Sequence, residues 1–131
     1  MLSLGGGILR VFKTKWFARF ARRTGIADRQ LLATVYEIEK GLIDADYGGG
    51  LIKKRVARDG GGKSGGYRSI IAYRSEDKCF FMFCFAKSSR GNLNMSEVAQ
   101  YKNVARIYLG FSEVEIAVAL NERELVEVTY D

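Results

Sequence analysis

Lysine and arginine side chains are concentrated in the middle of the sequence, where they could act together on a phosphate group. Between Leu51 and Arg74 there are seven basic residues and a single acidic one, Asp59. A surface charged at random mixes both signs, and clustered cations repel one another unless a phosphate offsets the repulsion. The pattern therefore predicts a site for a polyanion. The basic residues that predicted strands and their ends would bring together are Lys53, Arg55, Arg58, Lys63, Arg68, Lys87 and Arg90.

A cluster of this kind has the chemistry to cleave RNA at a 2′-hydroxyl group without a metal ion or a cofactor. The reaction needs a base for the 2′-OH proton, positive charge beside the phosphorane, and a proton for the departing 5′-oxygen. Lysine can act as the base where desolvation or neighbouring cations lower its pKa, while arginine stays charged and suits the phosphate. Because nothing in the cluster strongly orients free RNA, we expect a slow enzyme unless a large partner positions the substrate.

Residue types exclude several other kinds of site. The chain has no histidine, which excludes a Ser-His-Asp triad, a Cys-His pair and metal sites built on imidazole. Its two cysteines, Cys79 and Cys84, are too few for a zinc ribbon. Their odd spacing on one predicted strand places them on opposite faces, so we expect them to be buried as small apolar groups and not to form a disulfide.

The glycine-rich run from Ala57 to Ser64 resembles a phosphate-binding P-loop. A P-loop opens a helix, whereas an aromatic and β-branched strand follows this run, so a nucleotide site is disfavoured. The alternatives are a flexible loop between strands, or an anion site formed by Lys63 and nearby N–H groups.

The length and composition are those of one globular domain spanning residues 1–131. Apolar residues make up 47% of the chain and charged residues 27%, and the net charge is +6. No apolar stretch reaches the length of about 18 residues that a membrane-spanning helix needs. The N-terminus lacks the basic and apolar regions of a signal peptide, so a cytoplasmic protein without a membrane partner is expected. Residues 1–7 are predicted to be a loose leader.

The N-terminal part predicts one strand and two helices. Ile8 to Phe12 is a short apolar run typical of a strand. Thr14 is a candidate N-cap for a helix from Lys15 to Thr24, which Gly25 would end. Asp28 is a candidate N-cap for a second helix. The predicted buried face of that helix is Leu31, Val35, Ile38 and Leu42.

The middle of the chain predicts an antiparallel sheet. Ile52 and Val56 fall on one face of a strand, and Lys53 and Arg55 fall on the other. The segments Tyr67–Arg74 and Cys79–Phe85 are rich in aromatic and β-branched residues. The turn Ser75–Lys78 would join them in a hairpin.

The C-terminal part, with residues 112–131 as an extension, predicts two helices and a weak strand. Ser96 is a candidate N-cap for a helix to Leu109, and Ser112 with Glu115 forms a capping box for a shorter helix ending near Asn121. Val126, Val128 and Tyr130 alternate with polar residues. The order β-α-α-β-β-β-α predicts an α+β fold, with a mostly antiparallel sheet of three to five strands and helices on one side.

Charge is distributed unevenly along the chain. Arg10 to Arg23 contains six basic residues and no acid, whereas Glu113 to the C-terminus contains six acids and one base. This asymmetry favours nucleic acid over a small neutral ligand as the partner. The acidic segment is predicted to be an ordinary helix and edge strand. The alternative is that it tempers RNA binding or helps to dock a partner protein.

Two consecutive segments, GGLIKKRVARDGGGKSGGYRSIIAYR and CFFMFCFAKSSRGN, form a specific pair of motifs. Together with the opening RVFKTKWFARFAR, they resemble the RelE/HigB superfamily of bacterial type II toxins, over about residues 8 to 125. The closest resemblance is to the HigB-like branch with the loop GKSGGYR. It implies a compact RelE-like fold and an endoribonuclease that cuts mRNA in the ribosomal A site and blocks translation. It also implies a small helix-turn-helix antitoxin that neutralises the toxin.

The resemblance implies roles for individual residues. Lys53 or Lys63 would accept the proton, and Arg68 with Arg55 would lie on the phosphorane. Lys87 and Arg90 would bind flanking phosphates or ribosomal RNA. The implied catalytic set is Lys53, Arg55, Lys63 and Arg68, and the implied RNA-binding set is Arg58, Tyr67, Phe85, Lys87 and Arg90, with Tyr67 or Phe85 stacking on a base.

Two other functions are compatible with the sequence. The related ParE branch poisons DNA gyrase on a similar fold and needs no such basic cluster. A plain nucleic-acid-binding module would show salt-dependent binding without toxicity or cleavage. The density of basic residues on the predicted sheet favours the endoribonuclease.

Overall fold

The computed structural model of the protein describes residues 9–58, 62–87 and 90–129. The predicted leader, the start of the first predicted strand and Tyr130 lie outside these residues. The elements are β1 (Arg10–Thr14), α1 (Lys15–Thr24), α2 (Asp28–Glu39), β2 (Ala45–Gly48), β3 (Leu51–Arg58), β4 (Gly62–Arg74), β5 (Lys78–Ala86), α3 (Met95–Leu109), α4 (Glu113–Asn121) and β6 (Leu125–Val128).

One mixed sheet organises the described residues, with the strand order β2-β3-β4-β5-β1-β6. All neighbouring strands are antiparallel except β1 and β5, which run parallel. The predicted α+β class and mostly antiparallel sheet are therefore confirmed. The sheet has six strands, one above the predicted range, because the edge strand β2 contains Asp46 and Gly48 and lacks the composition of a strand.

The prediction that the helices lie on one side of the sheet is wrong, because both faces are covered. Helices α1 and α2 cover one face, and α3 and α4 cover the other. Strand β5 has apolar residues on both faces, so the sheet needs an apolar layer on each side. The first core includes Phe17, Leu31, Val35 and Phe81; the second includes Phe12, Ile70, Phe80, Ala105 and Ile116.

The ends of α1 and α4 follow the sequence prediction. The Thr14 hydroxyl accepts a hydrogen bond from the Phe17 N–H at 3.1 Å, and Gly25 ends α1 in the left-handed region with a φ of 78°. The Ser112 hydroxyl accepts from the Glu115 N–H at 3.1 Å, and the Glu115 carboxylate accepts from the Ser112 N–H at 2.8 Å. These caps are local in sequence, which is why they could be predicted.

The predicted starts of α2 and α3 are wrong. Ala27 is the N-cap of α2, and its N–H donates to the side chain of Gln30 at 2.6 Å, while Asp28 is the first helical residue. Asn94 caps α3 two residues before Ser96, and it forms a reciprocal capping box with Glu97. Leu42, predicted to extend the buried face of α2, lies beyond the end of that helix and is 54% exposed.

The two cysteines are buried and free, as predicted, but the prediction that they face opposite sides is wrong. Both belong to the core between the sheet and α1–α2. The cause is a bulge in the β4–β5 ladder: Ile70 pairs with Phe83 and Ile71 with Phe81, which leaves Met82 as an extra residue. Burial raises the pKa of both thiols, that of Cys84 to about 12, so neither is poised as a nucleophile.

The hairpin of β4 and β5 is confirmed, with Arg74 paired to Lys78 across the turn. β4 begins earlier than predicted, at Gly62, so the segment predicted as a loop is partly strand. No P-loop helix follows it. Gly66 is required in this strand because a Cβ atom there would lie 2.2 Å from the Val56 carbonyl oxygen. No helix in the described part of the chain is long and apolar enough to span a membrane.

Candidate nucleic-acid interface

Strands β3, β4 and β5 bring two of the predicted arginines face to face. Arg55 on β3 pairs with Arg68 on β4, and Arg68 pairs with Phe85 on β5. Directly paired residues of an antiparallel sheet point to the same face, and residues two apart on a strand do so as well. Lys53, Arg55 and Arg68 therefore lie on one face, the face that α3 covers in part. We refer to these three residues as the basic triad.

The next lysine along β3 belongs to a different environment. Lys54 points to the opposite face, is only 6% exposed, and forms a 3.0 Å ion pair with Glu37 of α2. Its charge is matched inside the fold, so it serves the packing of α2 on the sheet. Sequence alone gives no reason to separate Lys54 from Lys53 except the alternation of the strand.

The charge of the basic triad is not matched in the same way. Each of its three side chains is half-buried, and none forms an ion pair with a carboxylate among the described residues. The nearby Asp44 carboxylate accepts a hydrogen bond from the main-chain N–H of Arg55 at 2.7 Å. Like charges directly opposite one another in a sheet are destabilising. An anion bound between Arg55 and Arg68 would relieve this repulsion.

Arg90 is held at the edge of this surface by several partners. Its guanidinium group makes a two-point ion pair with Glu97, one contact being Nη1 to Oε2 at 2.8 Å, and donates to the Asn92 carbonyl at 3.0 and 3.2 Å. It also lies 5.3 Å from the ring centroid of Phe85. The arginine is therefore fixed beside Phe85, and Glu97 matches its charge.

The Arg90–Glu97 ion pair gives a prediction about pH. The hydrogen bond from Arg90, followed by the one from the Asn94 N–H, lowers the pKa of Glu97 from 4.5 to about 2. The ion pair therefore favours the folded state above pH 4.5, and its contribution is lost as the pH falls toward 2. We expect the Glu97 carboxyl carbon to titrate near pH 2 by ¹³C NMR, and nearer its ordinary value in Arg90→Ala. A midpoint close to 4.5 in the wild type would contradict this geometry.

A second group of hydrogen bonds joins β2, β3 and the loop before α3. The side-chain oxygen of Asn92 accepts from the Tyr47 hydroxyl at 3.0 Å, from Lys53 Nζ at 3.3 Å and from its neighbour's N–H, that of Leu93, at 2.9 Å. Desolvation raises the pKa of Tyr47. Sequence reasoning missed Tyr47 and Asn92. A tyrosine on a short edge strand and an asparagine in a loop carry no periodic signal, and the only mark on Asn92 is that it is the last residue of the FAKSSRGN motif.

The remaining predicted site residues are not all brought to the triad. Tyr67 lies on the other face of β4, where its ring makes an edge contact with Phe20 at 5.3 Å. Phe85 is on the face of the triad but is buried. Lys87 is exposed in the turn after β5, beside the strand end where Tyr67 pairs with Ala86. The side chains of Arg58 and Lys63 lie outside the described part of the structure.

Comparison with known proteins gives one finding that bears on this surface. A family model described as the RelE toxin of the RelE / RelB toxin-antitoxin system matches residues 9–128. The match covers all ten elements of the fold, including the three strands that hold the basic triad. No match was found among curated proteins.

Proposed function

Because the chain belongs to the RelE toxin family of toxin–antitoxin systems, we propose that it is a ribosome-dependent mRNA endoribonuclease. In this proposal it cuts mRNA in the ribosomal A site, blocks translation in the cytoplasm, and is neutralised by a cognate helix-turn-helix antitoxin. The observation that carries the proposal is the basic triad, in which three cations share one face without a carboxylate partner among the described residues.

The triad supplies two of the three requirements of 2′-OH cleavage. Arg55 and Arg68 face each other, so both can donate to the oxygens of one phosphate and stabilise the charge that grows on the phosphorane. Lys53 lies on the same face and takes the 2′-OH proton. The 2′-oxygen then bonds to phosphorus while the bond to the 5′-oxygen breaks, and the 5′-oxygen takes a proton from solvent. The products are a 2′,3′-cyclic phosphate and a 5′-hydroxyl.

Lys53 is better suited to act as the base than Lys54. A base must lose its proton before the reaction, and an ion pair with a carboxylate opposes that loss. Lys54 is in such a pair with Glu37, whereas Lys53 contacts the neutral amide of Asn92. Lys63, the other predicted base, stays a prediction because its side chain lies outside the described residues.

In this proposal the ribosome positions the mRNA for the reaction. The triad supplies positive charge, but in-line attack also requires the 2′-oxygen and the leaving oxygen to be held on opposite sides of phosphorus. Positioning by a large partner lowers a barrier of this kind by several kcal/mol. Arg90, Lys87 and the exposed basic stripe of α1, formed by Lys15, Arg19 and Arg22, are the proposed contacts to flanking phosphates and ribosomal RNA.

Induced expression in bacteria, followed by primer-extension mapping of mRNA ends, tests the proposed function. We expect growth arrest together with new 5′ ends inside translated regions, and relief of both when the cognate antitoxin is co-expressed. Growth arrest with intact mRNA and broken DNA would favour the gyrase-directed alternative. Absence of arrest and of new ends would reject both toxic activities.

A further inference from the structure

Asn92 connects the two cationic parts of the proposed active surface. Its side-chain oxygen accepts from Lys53 Nζ, and its main-chain oxygen accepts from the Nε and Nη2 atoms of Arg90. Lysine ammonium and arginine guanidinium groups are donors only, and so is the Leu93 N–H, which also meets the side-chain oxygen. The orientation of the Asn92 amide is therefore fixed by its partners: the oxygen faces Lys53.

Tyr47 provides a second constraint on the same oxygen. Its hydroxyl donates to the Asn92 oxygen at 3.0 Å, from the edge strand β2, whose Ala45 pairs with Lys53 on β3. The Asn92 side-chain oxygen thus accepts hydrogen bonds from β2, from β3 and from its own loop before α3. Fixing a long lysine side chain in one place removes rotamer freedom that would otherwise be lost on binding RNA.

The acceptor is a neutral amide, and this has a chemical consequence. Two lysines elsewhere in the fold form close ion pairs with carboxylates instead. The Nζ atom of Lys13 lies 2.7 Å from Oδ1 of Asp28, and the Nζ atom of Lys54 lies 3.0 Å from Oε1 of Glu37. A carboxylate favours the protonated ammonium, whereas an amide oxygen orients Nζ without adding a negative charge. The contact with an amide oxygen therefore suits a lysine that must lose its proton better than an ion pair with a carboxylate does.

We propose that Asn92 is a positioning residue, which aligns Lys53 for proton abstraction and, with Tyr47, does so without the negative charge by which a carboxylate would oppose loss of the lysine proton. The inference rests on the proposed function, since it assigns the proton transfer to Lys53. It adds a role for two residues outside the basic cluster.

The direct test is Asn92→Asp, which keeps the shape of the side chain and places a negative charge beside Lys53. The rate of mRNA cleavage is measured against pH with ribosome complexes under single-turnover conditions. We expect the acidic limb of the profile to move upward by about 1 pH unit, which is a loss of about tenfold on that limb and recovers as the pH rises. Asn103→Asp is the matched control, because Asn103 is exposed on α3 and contacts Arg106, and its profile should not move.

A second variant separates alignment from charge. Asn92→Ala should lower kcat by about fivefold to tenfold through loss of one orienting hydrogen bond, with KM and the pH profile unchanged. Tyr47→Phe should reproduce part of this loss. Retention of full activity by Asn92→Ala, or an Asn92→Asp variant that is equally impaired at every pH, would overturn the inference while leaving the proposed function intact. A wild-type protein that cleaves no mRNA would overturn the proposed function and the inference with it.

Discussion

Arg68→Ala is expected to lower kcat for mRNA cleavage by about 10²- to 10³-fold, the loss seen when one preorganised donor is removed from a developing oxyanion. Arg68 lies between Arg55 and Phe85 in the sheet ladder, directly opposite Arg55 of the basic triad. It forms no ion pair with a described carboxylate, so its removal breaks no contact of that kind within the fold. The effect is measured as the single-turnover rate of cleavage on translating ribosomes.

The control for this prediction is Arg106→Ala. Arg106 is exposed on α3, where its guanidinium group contacts Asn103, so the variant removes the same charge and the same number of atoms away from the triad. We expect its cleavage rate to stay within about twofold of the wild type, as surface changes of this kind have small effects. Equal losses in both variants would indicate a general effect of net charge, and would contradict a specific role for Arg68.

Phe80→Ala is expected to lower the free energy of unfolding by about 3–5 kcal/mol. The Phe80 side chain on β5 is fully buried, and its ring stacks on those of Phe12 and Tyr108, with centroids 5.0 and 5.1 Å away. Because Tyr108 belongs to α3, truncation of Phe80 leaves a cavity between the sheet and that helix. Because small domains have a total stability of about 5–15 kcal/mol, the variant should be close to unfolding at 37 °C. Urea denaturation followed by circular dichroism measures the change.

Met95→Ala provides the comparison for the core variant. Met95 is 90% exposed at the start of α3, so its truncation should change stability by no more than about 0.5 kcal/mol. A Phe80→Ala protein as stable as Met95→Ala would show that the second core does not form as described.

Much of the fold could be predicted because its signals are local. The Thr14 and Ser112 caps, the left-handed Gly25 and the turn of the β4–β5 hairpin each depend on a few neighbouring residues. The predictions are wrong where the decisive contact is with a residue that is distant in the sequence. The bulge at Met82, which sets the faces of Cys79 and Cys84, is a feature of the pairing between two strands and has no signature in β5 itself.

In the candidate site too, residues placed by local sequence could be predicted, and residues placed by contacts between distant segments could not. Alternation along β3 sufficed to place Lys53 and Arg55 on one face, and pairing of β3 with β4 added Arg68. The resemblance implies that Tyr67 or Phe85 stacks on a base. Tyr67 precedes Arg68 by one residue on β4, so it lies on the opposite face of the sheet, where its ring packs on Phe20 of α1. Asn92 and Tyr47 escaped prediction because their importance depends on three segments meeting in space.

In the proposed function, the basic triad cuts mRNA that a ribosome presents. The most direct measurement is cleavage of one defined mRNA by the purified protein, with and without ribosomes stalled with an empty A site. We expect a single cut within the A-site codon, leaving a 2′,3′-cyclic phosphate end, at a rate at least about 10²-fold above that on free mRNA. Equal cleavage with and without ribosomes, or no cleavage in either case, would contradict it.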